Sequence, residues 1–388
     1  MILSRDRILT THVGSLPRNE VLTDLLVRRE ASQSIDGATM AAEMDKGVAE
    51  VVERQRAAGI DIGNDGEQQR VGFQTYVPQR MSGFGGESKR PRTRDLNEFP
   101  ELVELMKLRF PKRANSHNAP QAIADVKYLD DAPIKDELSR FKRIAGSHFA
   151  ETFMTAASPG IIATTMINAH YDSHEAYLMA LAREMKIEYR AIHDAGVVLQ
   201  IDAPDLAMSR TINFQEKSDA EFQKICELQV EAINNGIEGI PRDRVRLHCC
   251  WGNWDGPHLF DIALEKVLPI FLQANVGALS IEFANPRHAH EYEVLQRIPL
   301  PKDMILIPGV IESTSNFVEH PEVVARRSQE AVAAVGDRER VVASTDCGFG
   351  TFAGREYVIS GAVWKKLEAL RAGADIASAR LWGKKSAA

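Results

Sequence analysis

The chain has little cysteine and no long hydrophobic run. Four cysteines among 388 residues, Cys226, Cys249, Cys250 and Cys347, are too few and too unevenly spaced for a disulfide-stapled secreted fold. They fit a reducing compartment, where thiols serve as ligands or core residues. No stretch approaches the roughly 18 apolar residues that a membrane span requires. The first residues, Met1-Ile2-Leu3-Ser4-Arg5-Asp6-Arg7, lack the apolar core and small-residue cleavage site of a secretory leader. The expected location is therefore the cytoplasm, away from membranes. Positive charge is not in excess: the net charge is -7 and the pI about 5.9, which argues against nucleic acid as the main partner. No glycine-rich dinucleotide fingerprint follows the first apolar run, and there is no short repeat or low-complexity tract.

What is present is the composition of a globular protein, 44% hydrophobic and 26% charged, long enough for a large core. Short β-branched runs alternate with longer amphipathic stretches from end to end, the mark of repeated βα units. Eight strands are predicted: Ile8 to Val13, Gly59 to Gly63, Thr152 to Ala156, Val197 to Ile201, Val245 to Cys249, Ala278 to Phe283, Met304 to Val310 and Arg340 to Ser344. Helical patterns fall between them at Ala41 to Ala58, His174 to Ala195, Asp219 to Asn235, Leu259 to Ala274 and Pro321 to Val335, with a last one at Glu356 to Ala372. This points to a single domain over 1–388, a (β/α)8 TIM barrel of class α/β. Residues 68–151 form a long insertion after the second strand. An insertion of that length holds structure of its own and would stand over the barrel mouth as a lid. It carries a basic run, Lys89-Arg90-Pro91-Arg92-Thr93-Arg94, which reads as a solvated loop or as a contact for an anionic substrate tail.

A barrel keeps its chemistry at the strand ends, and here nearly every end is polar. They read His12-Val13-Gly14-Ser15, Asn64-Asp65-Gly66-Glu67, Ala157-Ser158-Pro159-Gly160, Gln200-Ile201-Asp202, His248-Cys249-Cys250, Glu282, Ile311-Glu312-Ser313 and Asp346-Cys347-Gly348. Side chains alternate along a strand, so His248 and Cys250 share a face while Cys249 points away. A distant strand ending in Cys347 would add a third ligand, leaving the open position of a catalytic zinc site. The plain alternative is that these are buried core cysteines and a hydrogen-bonded histidine, as Cys226 on its amphipathic helix is read to be. Trp251 and Trp254 read as packing of the mouth, with stacking on a substrate ring as the other reading. His12, His170, His288 and His290 read as solvated or hydrogen-bonded side chains.

The His-x-Cys pair with its distant Asp346-Cys347-Gly348, together with Thr10-Thr11-His12-Val13-Gly14-Ser15-Leu16-Pro17 and Gln200-Ile201-Asp202-Ala203-Pro204, resembles the cobalamin-independent methionine synthase family. The likeness runs over almost the whole chain. It is to the catalytic C-terminal barrel, without a counterpart of the N-terminal barrel of full-length members. The resemblance implies zinc held by His248, Cys250 and Cys347, with Glu282 as fourth ligand in some states. It implies that Ser15, Glu67 and Asp202 hold the amino-acid part of homocysteine. Glu282 and Glu312 are the candidate catalytic carboxylates. Glu312 stands where full-length members have an aspartate, which leaves its role open.

The implied function is zinc-dependent methyl transfer to homocysteine, giving methionine. The partners are that thiol and a methyl or alkyl donor, methyltetrahydrofolate polyglutamate in full-length members and a different carrier in single-barrel relatives. Within the same family, an epoxyalkane:coenzyme M transferase is the alternative. The acids Glu67 and Asp202 suit an ammonium group better than a sulfonate, and the basic run leans the other way. From another class, a non-catalytic zinc or thiol-binding barrel would need a closed four-ligand site, and eight polar strand ends are more than such a site requires. A hydrolase using zinc-bound water is disfavoured because two thiolates quench the Lewis acidity that water activation needs.

Overall fold

The structure, a computed structural model, describes residues 1–110 and 119–383. Among the described residues the strands are β1 (Leu9–Thr10), β2 (Ile62–Gly63), β3 (Met81–Gly85), β4 (Gln121–Tyr128), β5 (Glu151–Ala157), β6 (Val198–Asp202), β7 (Val245–Cys249), β8 (Ala278–Glu282), β9 (Ile305–Ile311) and β10 (Val342–Thr345). Eight of them form one sheet in the order β1-β10-β9-β8-β7-β6-β5-β2, every pair parallel. The two ends meet: Asp61 N donates to Thr10 O at 3.1 Å and Thr11 Oγ1 to Ile62 O at 2.9 Å. The result is the expected (β/α)8 barrel. β1 is shorter than its apolar run because side chains replace the ladder there. Thr10 N donates to Asp61 Oδ2 (2.9 Å), and Arg7 holds the same carboxylate in two-pronged fashion at 2.7 and 2.6 Å.

Helices fill the gaps because their apolar residues recur every three or four positions. His174–Asp194 buries Tyr177, Leu178, Leu181, Met185, Tyr189 and Ile192 on one face, each contributing at most about 1.5–3 kcal/mol. Ser173 caps its start, accepting from Ala176 N at 3.0 Å. Ser218 and Glu221 form a reciprocal capping box at Asp219–Gly236, which satisfies two otherwise orphaned N–H groups. Two helices begin later than their patterns. The predicted Leu259 start moves to Leu264. There His258 takes a left-handed φ of 54° and its Nδ1 pairs with Asp261 at 2.9 Å, diverting the first turn into a loop. The last helix runs Ser360–Trp382.

The barrel interior is layered, and the layers place the site. Ile62, Phe153, Val198, Ala278, Ile305, Ile307 and Val342 close the floor, with Met1, Ile2 and Leu3 packed beneath. Above them lies a polar belt around Arg246, whose guanidinium sits 3.5 Å over the Phe153 ring. It donates to Gln200 Oε1 (2.6 Å), Thr11 Oγ1 (3.2 Å) and His12 O (2.7 Å). The acids, imidazole and thiols come last, at the C-terminal strand ends.

Between β2 and β5 the chain makes an antiparallel ribbon, β3 with β4, and two short helices, Arg94–Glu98 and Glu101–Arg109. The glycines of Met81-Ser82-Gly83-Phe84-Gly85 hide β3 in the sequence. Gly83 has φ +92°, and a Cβ there would fall 2.6 Å from Asp125 O, so only glycine fits the register shift between Ser82 and Phe84. The helix Ala132–Ala145 then packs on Gly37–Ala57 like any outer barrel helix, with Arg140 and Arg143 both on Asp45. No helix among the described residues is long and apolar enough to cross a membrane.

Candidate metal centre

β7 ends in His248 and Cys249, with Cys250 just beyond, while Cys347 follows β10 by two residues. The alternation argument holds: Cys249 is buried away from the mouth and Cys250 faces His248. One ligand atom each from His248, Cys250 and Cys347 lies within 4.8 Å of the other two. The two sulfurs are 4.0 Å apart and unbridged. Two zinc–sulfur bonds of about 2.3 Å at a tetrahedral angle would separate sulfurs by roughly 3.8 Å, so the spacing fits. The imidazole is prepared as well. Its Nδ1 donates to the carboxylate oxygen Asp202 Oδ1 at 3.0 Å, and Nε2 is left buried with no partner. A carboxylate behind a ligating histidine is the usual means of fixing tautomer and ring direction.

Charges in the cluster are mutually arranged. Burial opposes a proton on His248, yet the Asp202 hydrogen bond and the adjacent Cys250 outweigh it and push the imidazole up to about 10. Cys250 is driven well below the usual thiol range, first by the Cys347 thiol donating to it and then by His248. Cys347 is correspondingly pushed up by Cys250 and by burial. Metal coordination replaces these protons, because it is the thiolate and the neutral imidazole that bind.

The other sequence-derived residues separate. Ser15, Glu67 and Asp202 line the same cavity as the cluster. The cavity measures about 140 Å³, roughly ten times what a single water needs. Glu67 is buried with a left-handed φ of 54°, a strained conformation for a non-glycine residue. Its Oε1 accepts from Thr155 Oγ1 at 2.9 Å, and Oε2 is buried without a donor. Burial and the nearby Asp202 raise its affinity for a proton. Ser15 Oγ accepts from Gly350 N at 3.3 Å. A Cβ on Gly348 would lie 2.0 Å from that oxygen, which is why the loop after Cys347 begins with glycine.

Glu282 is buried outside the group of ligand atoms, does not line the cavity, and accepts from Trp251 N at 2.8 Å. Burial, then the thiolate of Cys250, push it up to about 8. Glu312 does not line the cavity. Its carboxylate is taken up by Thr314 and by Ser315 N (2.7 Å) in its own loop. Trp251 and Trp254 both line the cavity; Trp251 is also packed, stacked 4.1 Å from His288 with its Nε1 donating to Ile262 O at 2.6 Å.

Two contributors escaped the sequence reading. Asp202 was read as a substrate contact, not as the group behind His248. The register that sets Asp202 beside His248 on neighbouring strands was the available signal. Asn253 ties three loops together: Nδ2 donates to Gly348 O and Thr351 Oγ1, both at 2.7 Å, and Oδ1 accepts from Ser313 at 3.1 Å.

Fold and site together define a (β/α)8 barrel whose mouth carries a compact imidazole and dithiol cluster. The chain belongs to the family described as "Cobalamin-independent synthase, Catalytic domain", whose family model matches residues 133–363. Among curated relatives, a protein named methionine synthase from Sulfurisphaera tokodaii is 24% identical over 317 residues, covering 81% of this chain and 78% of its own. One named 2-hydroxypropyl-CoM lyase from Xanthobacter autotrophicus is 23% identical over 411 residues, covering 98% and 97%. A solved B12-independent methionine synthase from Shewanella sp. W3-18-1, in complex with selenomethionine, superposes with TM-score 0.73 at 20% identity, covering 97% of this chain and 99% of that one. This last likeness shows the fold.

Proposed function

We propose that the protein is a zinc-dependent thiol alkyltransferase that methylates homocysteine to give methionine. Family membership supports thiol methyl transfer, and so does the name of the Sulfurisphaera relative. The observation that carries the reading is a pair of unsatisfied buried atoms on one cavity, His248 Nε2 and Glu67 Oε2. The first lacks a Lewis acid and the second lacks a cationic donor, which is what zinc and the ammonium group of an amino-acid thiol would supply.

His248, Cys250 and Cys347 would hold the metal, with Glu282 as an interchangeable fourth ligand. When bound, zinc keeps a substrate thiol deprotonated near neutral pH while leaving the sulfur nucleophilic. The chain's own residues do the rest. Asp202 keeps the proton on His248 Nδ1 so that Nε2 presents a lone pair. Glu67, held by Thr155 and by its strained backbone, takes the ammonium group. Ser15 offers its hydroxyl to the carboxylate. Glu312 acts through its loop, where the adjacent Ser313 bonds Asn253, and Glu282 fixes the Trp251 backbone. The four free cysteines fit a cytoplasmic setting. We read 1–388 as one barrel domain, with the part of 68–151 that precedes the helix Ala132–Ala145 as its lid and that helix as part of the barrel wall.

A second reading, epoxide opening by coenzyme M, is favoured by the Xanthobacter relative. Zinc-edge X-ray absorption on the metal-loaded protein separates the two. One added sulfur neighbour with homocysteine alone supports methionine synthesis, and the same gain with coenzyme M alone supports the second. No change with either thiol overturns both.

A further inference from the structure

Two cross-strand pairs stand one above the other behind the metal centre. On β6, Gln200 and Asp202 are two residues apart and share a face, as Arg246 and His248 do on β7. The register sets Gln200 opposite Arg246 and Asp202 opposite His248. The upper pair carries a candidate ligand. The lower pair is buried beneath the cavity, which neither Gln200 nor Arg246 lines.

The lower pair admits one arrangement. Arg246 can only donate, and its three acceptors, Gln200 Oε1 (2.6 Å), Thr11 Oγ1 (3.2 Å) and His12 O (2.7 Å), are all neutral. Gln200 must therefore turn its amide oxygen to the guanidinium and its nitrogen away from it. Nε2 then donates to Val13 O and, at 2.7 Å, to Asp202 Oδ1. A carbonyl and a carboxylate oxygen both only accept, so the amide is fixed from its two sides. Asp202 Oδ1 consequently takes two donors, Gln200 Nε2 from its own strand and His248 Nδ1 at 3.0 Å from the next. The charge of Arg246 is felt at the same carboxylate: burial pushes the guanidinium down to about 9, and Asp202 is the foremost group opposing that.

We propose that Gln200, braced by Arg246, is a positioning residue for the metal centre, holding Asp202 so that one carboxylate oxygen meets His248 and the other is left to the cavity. The role in metal binding rests on the function proposed above. Without the amide donor, Asp202 Oδ1 keeps only His248 and the carboxylate is free to rotate. His248 Nε2 then loses its fixed direction toward Cys250 and Cys347. Asp202 also lines the cavity, and with Oδ1 doubly bound its Oδ2 is the atom that faces a ligand there. Gln200 thus sets the metal side and the ligand side of one carboxylate together.

The test is zinc affinity, read by competition with a chromophoric chelator, in wild type, Gln200→Glu, Gln200→Met and Thr11→Val, with circular dichroism confirming each fold. Gln200→Glu separates positioning from packing. Its carboxylate gives Arg246 a charged partner, yet it sets an acceptor against Asp202 Oδ1 and Val13 O. A role limited to satisfying Arg246 therefore predicts full affinity, and positioning predicts a loss. The expected result is zinc affinity weakened about tenfold or more in Gln200→Glu and Gln200→Met. Thr11→Val, which takes one acceptor from Arg246 and leaves Gln200 in place, should equal wild type. Gln200→Met carries the test should Gln200→Glu not fold. A smaller loss in the Gln200 variants, or an equal loss in Thr11→Val, overturns the proposal. If wild type takes no zinc, the function proposed above is refuted and the metal-free protein decides the positioning. There the downfield proton resonance of His248 Nδ1, identified by its absence in His248→Asn, should move in Gln200→Met and stay in Thr11→Val, and an unmoved resonance overturns the role of Gln200.

Discussion

Replacing Cys250 or Cys347 by serine takes one soft ligand from a set of three, and hard hydroxyls do not substitute for thiolates at zinc. Cys250→Ser and Cys347→Ser should therefore lose most bound zinc and all thiol alkylation. Cys226→Ser should keep both, since Cys226 Sγ bonds Leu206 O at 3.3 Å inside the core. Metal analysis by mass spectrometry checks this, and a full equivalent of zinc in active Cys347→Ser would sink the three-ligand assignment. Glu67→Gln keeps size and removes charge. It should weaken homocysteine about tenfold while leaving 2-mercaptoethanesulfonate unweakened in calorimetric titration of the metal-loaded protein, and equal losses for both would deny Glu67 its ammonium partner. The ligand trio was legible because histidine and cysteine at strand ends have few other uses. The Asp202–His248 bond and the turn of Glu312 away from the cavity into its own loop depend on register and loop shape, which residue types do not encode.

At the scale of elements, the insertion is joined to the barrel by buried charge. Glu137, on the helix Ala132–Ala145, meets Arg70 at 2.8 Å and Arg80 at 2.5 Å. Arg80 also meets Glu188 at 2.8 Å, and Tyr76 and Tyr128 donate to Glu188. Arg70 continues to Thr155 O (2.8 Å), whose side chain holds Glu67, so the network reaches the cavity. Glu137→Gln leaves two buried guanidinium groups undercompensated and should cost about 3–5 kcal/mol, measured by urea unfolding. A loss below about 1 kcal/mol would mean the pairs are solvated. Burial alone would raise the Glu137 carboxyl, but Arg70 and Arg80 outweigh it and hold it down to about 2. A depressed carboxylate contributes stability above its ordinary value of 4.5, and loses it as pH falls toward about 2. The wild type should thus lose stability between those values and Glu137→Gln should lose less there. The eight strands were legible from β-branched runs. The β3–β4 ribbon was not, because its glycines read as a loop, and a charge run gave no hint that Arg90 would turn inward to line the cavity while Lys89, Arg92 and Arg94 stay exposed.

For the whole molecule, the cluster spans strands that are not neighbours. β8 and β9 lie between β7 and β10 in the sheet, so the three ligand groups converge only when the barrel closes. Alternation of runs made the barrel legible, but which strand ends meet across the mouth is a property of closure. Contacts such as Asn253 on Gly348 and Thr351 complete the convergence. An unfolded chain holds Cys347 far from Cys250 and cannot present three ligands together, so metal should bind the native state in strong preference. Such binding stabilises by about 2.7 kcal/mol when free metal is at 100 times its dissociation constant, which for a chain of this size is a rise in Tm of roughly 3 °C. Stripping the metal with a chelator should lower the Tm of wild type by that order and leave Cys347→Ser unmoved, since that variant has nothing to release. Calorimetric scans with and without chelator decide it. An unchanged wild-type Tm after proven loss of metal would show that the unfolded chain holds the metal as well as the barrel does, and the native-state preference would be wrong.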